Sequence, residues 1–318
     1  MQPEQQLNRW QKSWHLMKGA WSALKLDKEL FALPLISMGI NTAIIILVAL
    51  GAMVAMATGN FEHLFMSSTT NTYDASGAIV GSQSSGSTSP LGYAVMIALG
   101  IVLAAVNALF TGAVIHGALE RFRGNDPTVK SCLAAARKRF GSLLVFAAFS
   151  FGIGYILSVI AERIPFIGGR IVMWLANAAW QVASFFALPV IMSSDTPVNP
   201  VAATKRSIGI LKQIWGESLI LTASIGLVGG ILAFAYMMIG SILVATAGLL
   251  AGGFAAVGSG VVLFIGLIGM AIVLSMLDAY VKSALYYYAS TGESPAHFDS
   301  QLMKQAFTQK QARKVFGL

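Results

Sequence analysis

Six apolar stretches dominate this chain, at roughly 31–57, 91–119, 141–161, 171–192, 218–246 and 257–280. Each is long enough to cross a bilayer, whose hydrocarbon core of about 30 Å needs about 20 helical residues. The basic residues between them alternate in abundance. Five Lys and Arg precede the first stretch, six lie in 120–140, three in 193–217 and five in 281–318; only Arg163 and Arg170 fall in the intervening segments. Cytoplasmic loops carry the excess of Lys and Arg, so both termini are expected in the cytoplasm. The expected fold is all-α: a polytopic membrane protein with six transmembrane helices. With 56% apolar and only 11% charged residues, the chain is no ordinary soluble domain.

Residues 1–318 read as a single membrane domain, with 1–30 as an interfacial N-terminal helix, 58–90 as a flexible extracytoplasmic loop and 281–318 as a cytoplasmic tail. No removable signal peptide is expected, and the first span acts as the insertion signal. The uncharged run Ser218–Leu277 would measure about 90 Å as one helix, so it must turn back, with Gly252, Gly253, Gly258 and Gly260 marking the place. The run Gly81–Ser89 reads as linker.

Asp126-Pro127, Asn199-Pro200 and Ser294-Pro295 each pair a good N-cap residue with a proline suited to a first helical position. Amphipathic stripes follow the first two: Val129, Leu133, Ala136 and Phe140, then Thr204, Ile208, Leu211 and Trp215. The N-terminal segment has the same spacing in Trp10, Trp14, Met17, Trp21 and Leu24, flanked by Lys12, Lys18 and Lys25. Indoles and lysines so arranged suit the membrane interface and its anionic headgroups. The expected plan is an amphipathic cytoplasmic helix followed by a transmembrane hairpin, three times over.

Lys12-Ser13-Trp14, Asp27-Lys28-Glu29-Leu30, Leu33-Pro34-Leu35, Phe186-Ala187-Leu188-Pro189-Val190 and Trp215-Gly216-Glu217 resemble an uncharacterised prokaryotic family of six-helix membrane proteins, a domain of unknown function. More loosely, the architecture is similar to the membrane domain of some glycerophosphodiester phosphodiesterases. Neither resemblance implies an activity.

Catalytic signals are sparse. The histidines are His15, His63, His116 and His297, with no His-Glu-x-x-His, and no phosphate-binding glycine loop occurs. One cysteine, Cys132, excludes a multi-cysteine metal site. No enzyme, metal or cofactor is expected. The +8 charge lies beside membrane segments, so lipid headgroups rather than nucleic acid are the expected partners, together with a second copy or another protein. Gly226-x-x-x-Gly230 reads as a helix-packing contact.

Polar residues inside the spans leave two readings open. Asn41, Asn107 and Gln181 lie 10–12 residues from the basic side, at a depth of about 15–18 Å. Thr111 and Asn177 lie one turn from Asn107 and Gln181. They are either interhelical hydrogen-bonding groups or the polar lining of a site. His116 and Glu120 form a candidate pair at the interface, and Asp278 and Lys282 another. The spans lack an ionisable residue near their centres, against the habit of ion-coupled transporters. The leading expectation is a non-catalytic scaffold in the inner membrane that organises lipids or proteins. The alternative is a transporter, channel or lipid-handling protein using the mid-membrane amides. A cavity lined by Asn41, Asn107 and Gln181 would favour the alternative, and a solid glycine-packed bundle the scaffold.

Overall fold

The computed structural model describes residues 9–61, 70–73, 79–83, 89–164, 167–214, 217–296 and 298. Six of its helical segments are long and apolar enough to cross a membrane, in keeping with a multi-pass membrane protein. In chain order the helices are α1 (Arg9–Leu26), α2 (Ala32–Ala57), α3 (Pro90–Phe122), α4 (Val129–Lys138), α5 (Phe140–Glu162), α6 (Ile167–Ala183), α7 (Ala187–Ser193), α8 (Pro200–Ile214), α9 (Glu217–Ala251) and α10 (Gly253–Thr291). A 3-10 turn, Lys28–Phe31, leads into α2. The segment expected to be a flexible loop contains a two-stranded antiparallel ribbon, β1 (Thr70–Tyr73) with β2 (Ile79–Gln83). Thr, Tyr, Ile and Val favour extended pairing, and the ribbon takes Gly81–Gln83 out of the expected linker.

The long helix α3 organises the bundle. It packs against α2, α4, α5, α7 and α10, while α9 pairs with α10 and α5 with α6. Two glycines let α9 and α10 approach closely. A β-carbon at Gly240 would stand 1.7 Å from Leu263, and one at Gly266 would stand 1.9 Å from the Tyr236 hydroxyl. Small-against-large pairing of this kind drives helix association where no hydrophobic effect is available. Gly230, expected in such a contact, faces open space instead. The turn between the two helices is Gly252 alone, at φ +84°, which L side chains rarely adopt.

The fourth apolar stretch is not one helix. Pro189 has no N–H to donate to the carbonyl four residues earlier, and its ring crowds that carbonyl. The helix accordingly breaks at 184–186 between α6 and α7. A freed backbone N–H is expensive away from water. Here the N–H of Phe186 donates to Ser207 Oγ at 2.9 Å, and Ser207 on α8 is fully buried. Helix α8 therefore seals the break. Its buried stripe is Ala203, Ser207 and Leu211, rotated by a residue from the expected Thr204 and Ile208, which are only half-buried. Trp215 lies outside the described residues.

The expected caps also differ in part. Helix α4 begins after Thr128, not Asp126: Thr128 Oγ1 accepts from Ser131 N at 3.2 Å, and Ser131 Oγ from Thr128 N at 3.0 Å. This reciprocal capping box outcompetes an Asp-Pro start by satisfying two amides. Asn199 caps α8 as expected, accepting from Val201 N at 2.9 Å. A further cap, Ser89 before Pro90, starts α3, with Ser89 Oγ accepting from Gly92 N at 3.0 Å. No helix follows Ser294-Pro295 among the described residues.

Candidate binding cavity

A cavity of about 630 Å³ lies between α2, α3, the broken α6–α7 segment and α10. Helical spacing explains its lining. Pro34, Ser37, Asn41 and Ile45 form one face of α2, and Asn107, Thr111 and Val114 form one face of α3. Gln181, Ser184 and Leu188 come from the α6–α7 break, while Ser275, Asp278 and Lys282 come from α10. The three amides expected at a shared depth therefore meet at one cavity, with Thr111. Asn177, one turn before Gln181, does not line it.

The amides form an ordered network. Asn107 Nδ2 donates to the carbonyl of Leu103 at 3.0 Å, which turns its Oδ1 toward α2. That oxygen accepts from Asn41 Nδ2 at 3.2 Å and from Ser37 Oγ at 3.4 Å. Asn41 Oδ1 is then left buried, with no partner among the described residues. A buried acceptor without a donor is costly, which makes this atom the feature of the lining most in need of a polar ligand.

Asp278 and Lys282 add charge to the same cavity. Lys282 Nζ lies 2.6 Å from Asp278 Oδ2 and 5.1 Å from the centre of the Phe185 ring. Sequence spacing identifies this pair as a one-turn contact at the membrane interface. It does not show that α10 turns both groups toward Asn41 and Asn107, far away in the chain. Ser37 escapes sequence reasoning too, although it shares the α2 face of Asn41.

Residues 90–296 match DUF6159, a family of unknown function, over roughly two thirds of the chain. The chain belongs to this family. No curated protein and no solved structure matches it. Within the DUF6159 match fall Asn107, Thr111, Gln181, Asp278 and Lys282; the α2 wall with Ser37 and Asn41 precedes it.

Beside the cavity, the DUF6159 segment is tied to the N-terminal region through a buried ion pair. Asp27 is 1% exposed. Arg121 grips it through Nε, at 2.9 Å to Oδ1 and 3.1 Å to Oδ2, and through Nη2, which also reaches Asp126. The Tyr280 hydroxyl donates to Asp27 Oδ2 at 2.8 Å. One carboxylate thus joins the end of α1 to α3 and α10. The motif Asp27-Lys28-Glu29-Leu30 contains this residue, but no local spacing points to Arg121 or Tyr280.

The other expected sites are placed as follows. Glu120 engages Arg123 Nη1 at 2.7 Å and Asn125 Nδ2 at 2.6 Å, one on each carboxylate oxygen, while His116 acts on it through charge. Helix α1 docks on α10 and buries Ala20, Ala23 and Leu24, so part of its apolar stripe meets protein. Trp21 stays 37% exposed, with Lys25 Nζ 5.4 Å from its ring centre, and Lys18 and Lys25 lie on the outer side. The side chains of Trp10, Lys12 and Trp14 lie outside the described residues. Cys132 is fully buried, and burial pushes its thiol up to about 11, far from the thiolate needed for reactivity at neutral pH.

Proposed function

We propose that this protein binds a polar ligand in the cavity between α2, α3, α6–α7 and α10, and acts in lipid handling or solute movement across the inner membrane. The observation that carries the reading is the convergence of Asn41, Asn107, Thr111 and Gln181 with the Asp278–Lys282 pair on one cavity. Its volume lies within the range of about 300–1,000 Å³ common to ligand sites. The broken helix at the cavity wall adds support, since irregular backbone at membrane depth is tolerated where it lines a cavity or is covered by protein. The scaffold reading is favoured by the glycine-packed α9–α10 pair, and we assign that pair a structural role.

The reading is one of binding rather than catalysis. Ser184 and Ser275 donate to the carbonyls of Trp180 and Ile272, at 2.8 and 3.0 Å, which is how serines in and beside membrane helices satisfy themselves without activation. We also place both termini in the cytoplasm, from the distribution of basic residues, with Lys18 and Lys25 facing anionic headgroups. Cysteines introduced at Ser85 and Ser300 in a Cys132→Ser background test this. An impermeant thiol reagent applied to intact cells should label the first and spare the second.

Native mass spectrometry of the purified full-length protein tests the cavity. The wild type should retain a small molecule or lipid through delipidation, and Thr111→Trp should lose it while melting normally. Asn107→Leu and Gln181→Met should stay folded, since each membrane hydrogen bond is worth about 0.6 kcal/mol on average, yet bind more weakly. Equal retention by the wild type and Thr111→Trp would return the protein to the scaffold reading.

A further inference from the structure

We infer that the cavity receives the headgroup of a zwitterionic phospholipid whose amine carries N–H groups, an ethanolamine-type headgroup. The inference rests on the cavity reading above and names its ligand.

Access comes first. Helix α2 packs along α3 and contacts no other span to a comparable extent among the described residues. No residue in the most apolar 18-residue window of the first span is buried. The cavity therefore has α3 as its floor, α2 as one wall, and α6–α7 with α10 as the other. Among the described residues the 3-10 turn before α2 touches α10, but α2 itself meets neither α6–α7 nor α10 as it meets α3. Asn41 lies about 15 Å into the span, so the open side away from α3 faces the bilayer and admits a lipid from its side.

Charge comes second. Asp278 and Lys282 are the charged residues of the lining, and together they are neutral. A net-neutral site in a low-dielectric setting fits a net-neutral headgroup, whereas an anionic lipid would leave an unbalanced charge. Lys282 can offer further N–H donors to a phosphate. Asp278 binds Lys282 through Oδ2, leaving Oδ1 to accept from an ammonium.

The donor requirement comes third, and it is the most selective. The network running from Leu103 through Asn107 forces Asn41 to present a buried Oδ1 with no partner among the described residues. A ligand satisfies that oxygen in place of water only through an N–H or O–H group, once a small turn of the Asn41 side chain uncovers it. Ethanolamine provides three N–H groups. Choline provides none; it has the same charge and three added methyl groups, whose bulk acts on Asn41→Leu as on the wild type.

The test measures retention on the full-length protein in detergent by native mass spectrometry. It uses phosphatidylethanolamine, its N-methylated series up to phosphatidylcholine, and phosphatidylglycerol, all with identical acyl chains. Retention should fall stepwise with methylation, reaching roughly tenfold between the ends, as expected for a hydrogen bond from a charged donor. Phosphatidylglycerol should also bind more weakly than phosphatidylethanolamine. Asn41→Leu should reduce the ethanolamine-to-choline ratio toward one, while Lys282→Gln should weaken both lipids together. The wild-type methylation series keeps the inference testable should either variant misfold.

A wild-type ratio near one overturns the headgroup assignment, as does a ratio that survives Asn41→Leu. Soluble glycerophosphoethanolamine binding as tightly as the lipid would put the ligand in water and overturn the lipid assignment. If all headgroups bind equally and all are lost in Thr111→Trp, the cavity reading stands and this inference alone fails. If Thr111→Trp changes nothing, the cavity reading itself falls.

Discussion

The apolar residues at the two ends of α10 live in different surroundings. Near its C-terminal end, Met276, Leu277, Ala279, Tyr280, Val281, Ala284 and Leu285 are all at most 7% exposed. At its start, Phe254 is 97% exposed, and Val257 and Val262 are each 67% exposed. Apolar character alone does not separate them, because a bilayer accepts an apolar side chain as readily as a protein core does. What separates them is company. The buried end holds Tyr280, which meets the Asp27–Arg121 pair, whereas the first turns pack Ala256 and Leu263 against Gly248 and Gly240 of α9. The cavity sits beside the packed end, from which Asp278 and Lys282 join its lining.

The sharpest way to break this contrast is Asp27→Asn. The substitution leaves Arg121 with only the exposed Asp126 and weakens the acceptor of Tyr280. Removing one partner of a buried ion pair costs about 3–5 kcal/mol, and the surviving contact to Asp126 places the loss near the lower figure. Thermal unfolding in detergent should show a large drop in the melting point, deeper than that of any substitution at α8 or at the exposed start of α10. A melting point within a degree of the wild type would mean that the packed end does not depend on this pair.

Ser207→Ala should have a smaller effect. It removes the acceptor of the Phe186 N–H at the break in the fourth span and leaves that donor buried, a cost of about 1–3 kcal/mol. Hydrogen exchange should quicken at 184–190 before it changes elsewhere. Uniform exchange behaviour in both proteins would remove α8 from the support of the cavity wall.

Phe254→Ala should do least. A substitution at an exposed site is expected to shift stability by no more than about 0.5 kcal/mol, so the melting curve in detergent should overlay that of the wild type. A clear loss of stability would reveal a partner on this end of the hairpin, most simply a second copy of the chain, and would erase the contrast between the two ends of α10.

Much of this architecture is legible along the chain. Most span limits agree within a few residues, because about 20 consecutive apolar residues are a signal that no loop or soluble helix imitates. The last helix, however, runs from Gly253 to Thr291, beyond the expected 257–280. That the run turns back follows from length, since 60 uncharged residues cannot cross once. The glycines narrow the place to four positions, of which Gly252 makes the turn. The shared depth of Asn41, Asn107 and Gln181 follows from counting inward at a fixed rise. The break at 184–186 escapes a hydropathy reading, although Pro189 announces it, because hydropathy averages across an interruption of three residues. The rotation of the α8 stripe toward Ser207 is hidden for a different reason. A serine at the centre of a buried face looks wrong until its acceptor role is known.

Hydropathy and charge act on each segment separately, so the number of spans, their limits and the grouping of basic residues can be worked out along the chain. The cavity cannot. It depends on which face of α2 turns toward which face of α10, and on Asp27 meeting Tyr280 across 253 residues. Such encounters are decided by the fit of surfaces that no local pattern describes, since any apolar face can be satisfied by lipid. A polar group inside the membrane has far fewer ways to be satisfied. The amides, the ion pairs and the Oδ1 atom of Asn41 acquire their meaning only once the helices are packed.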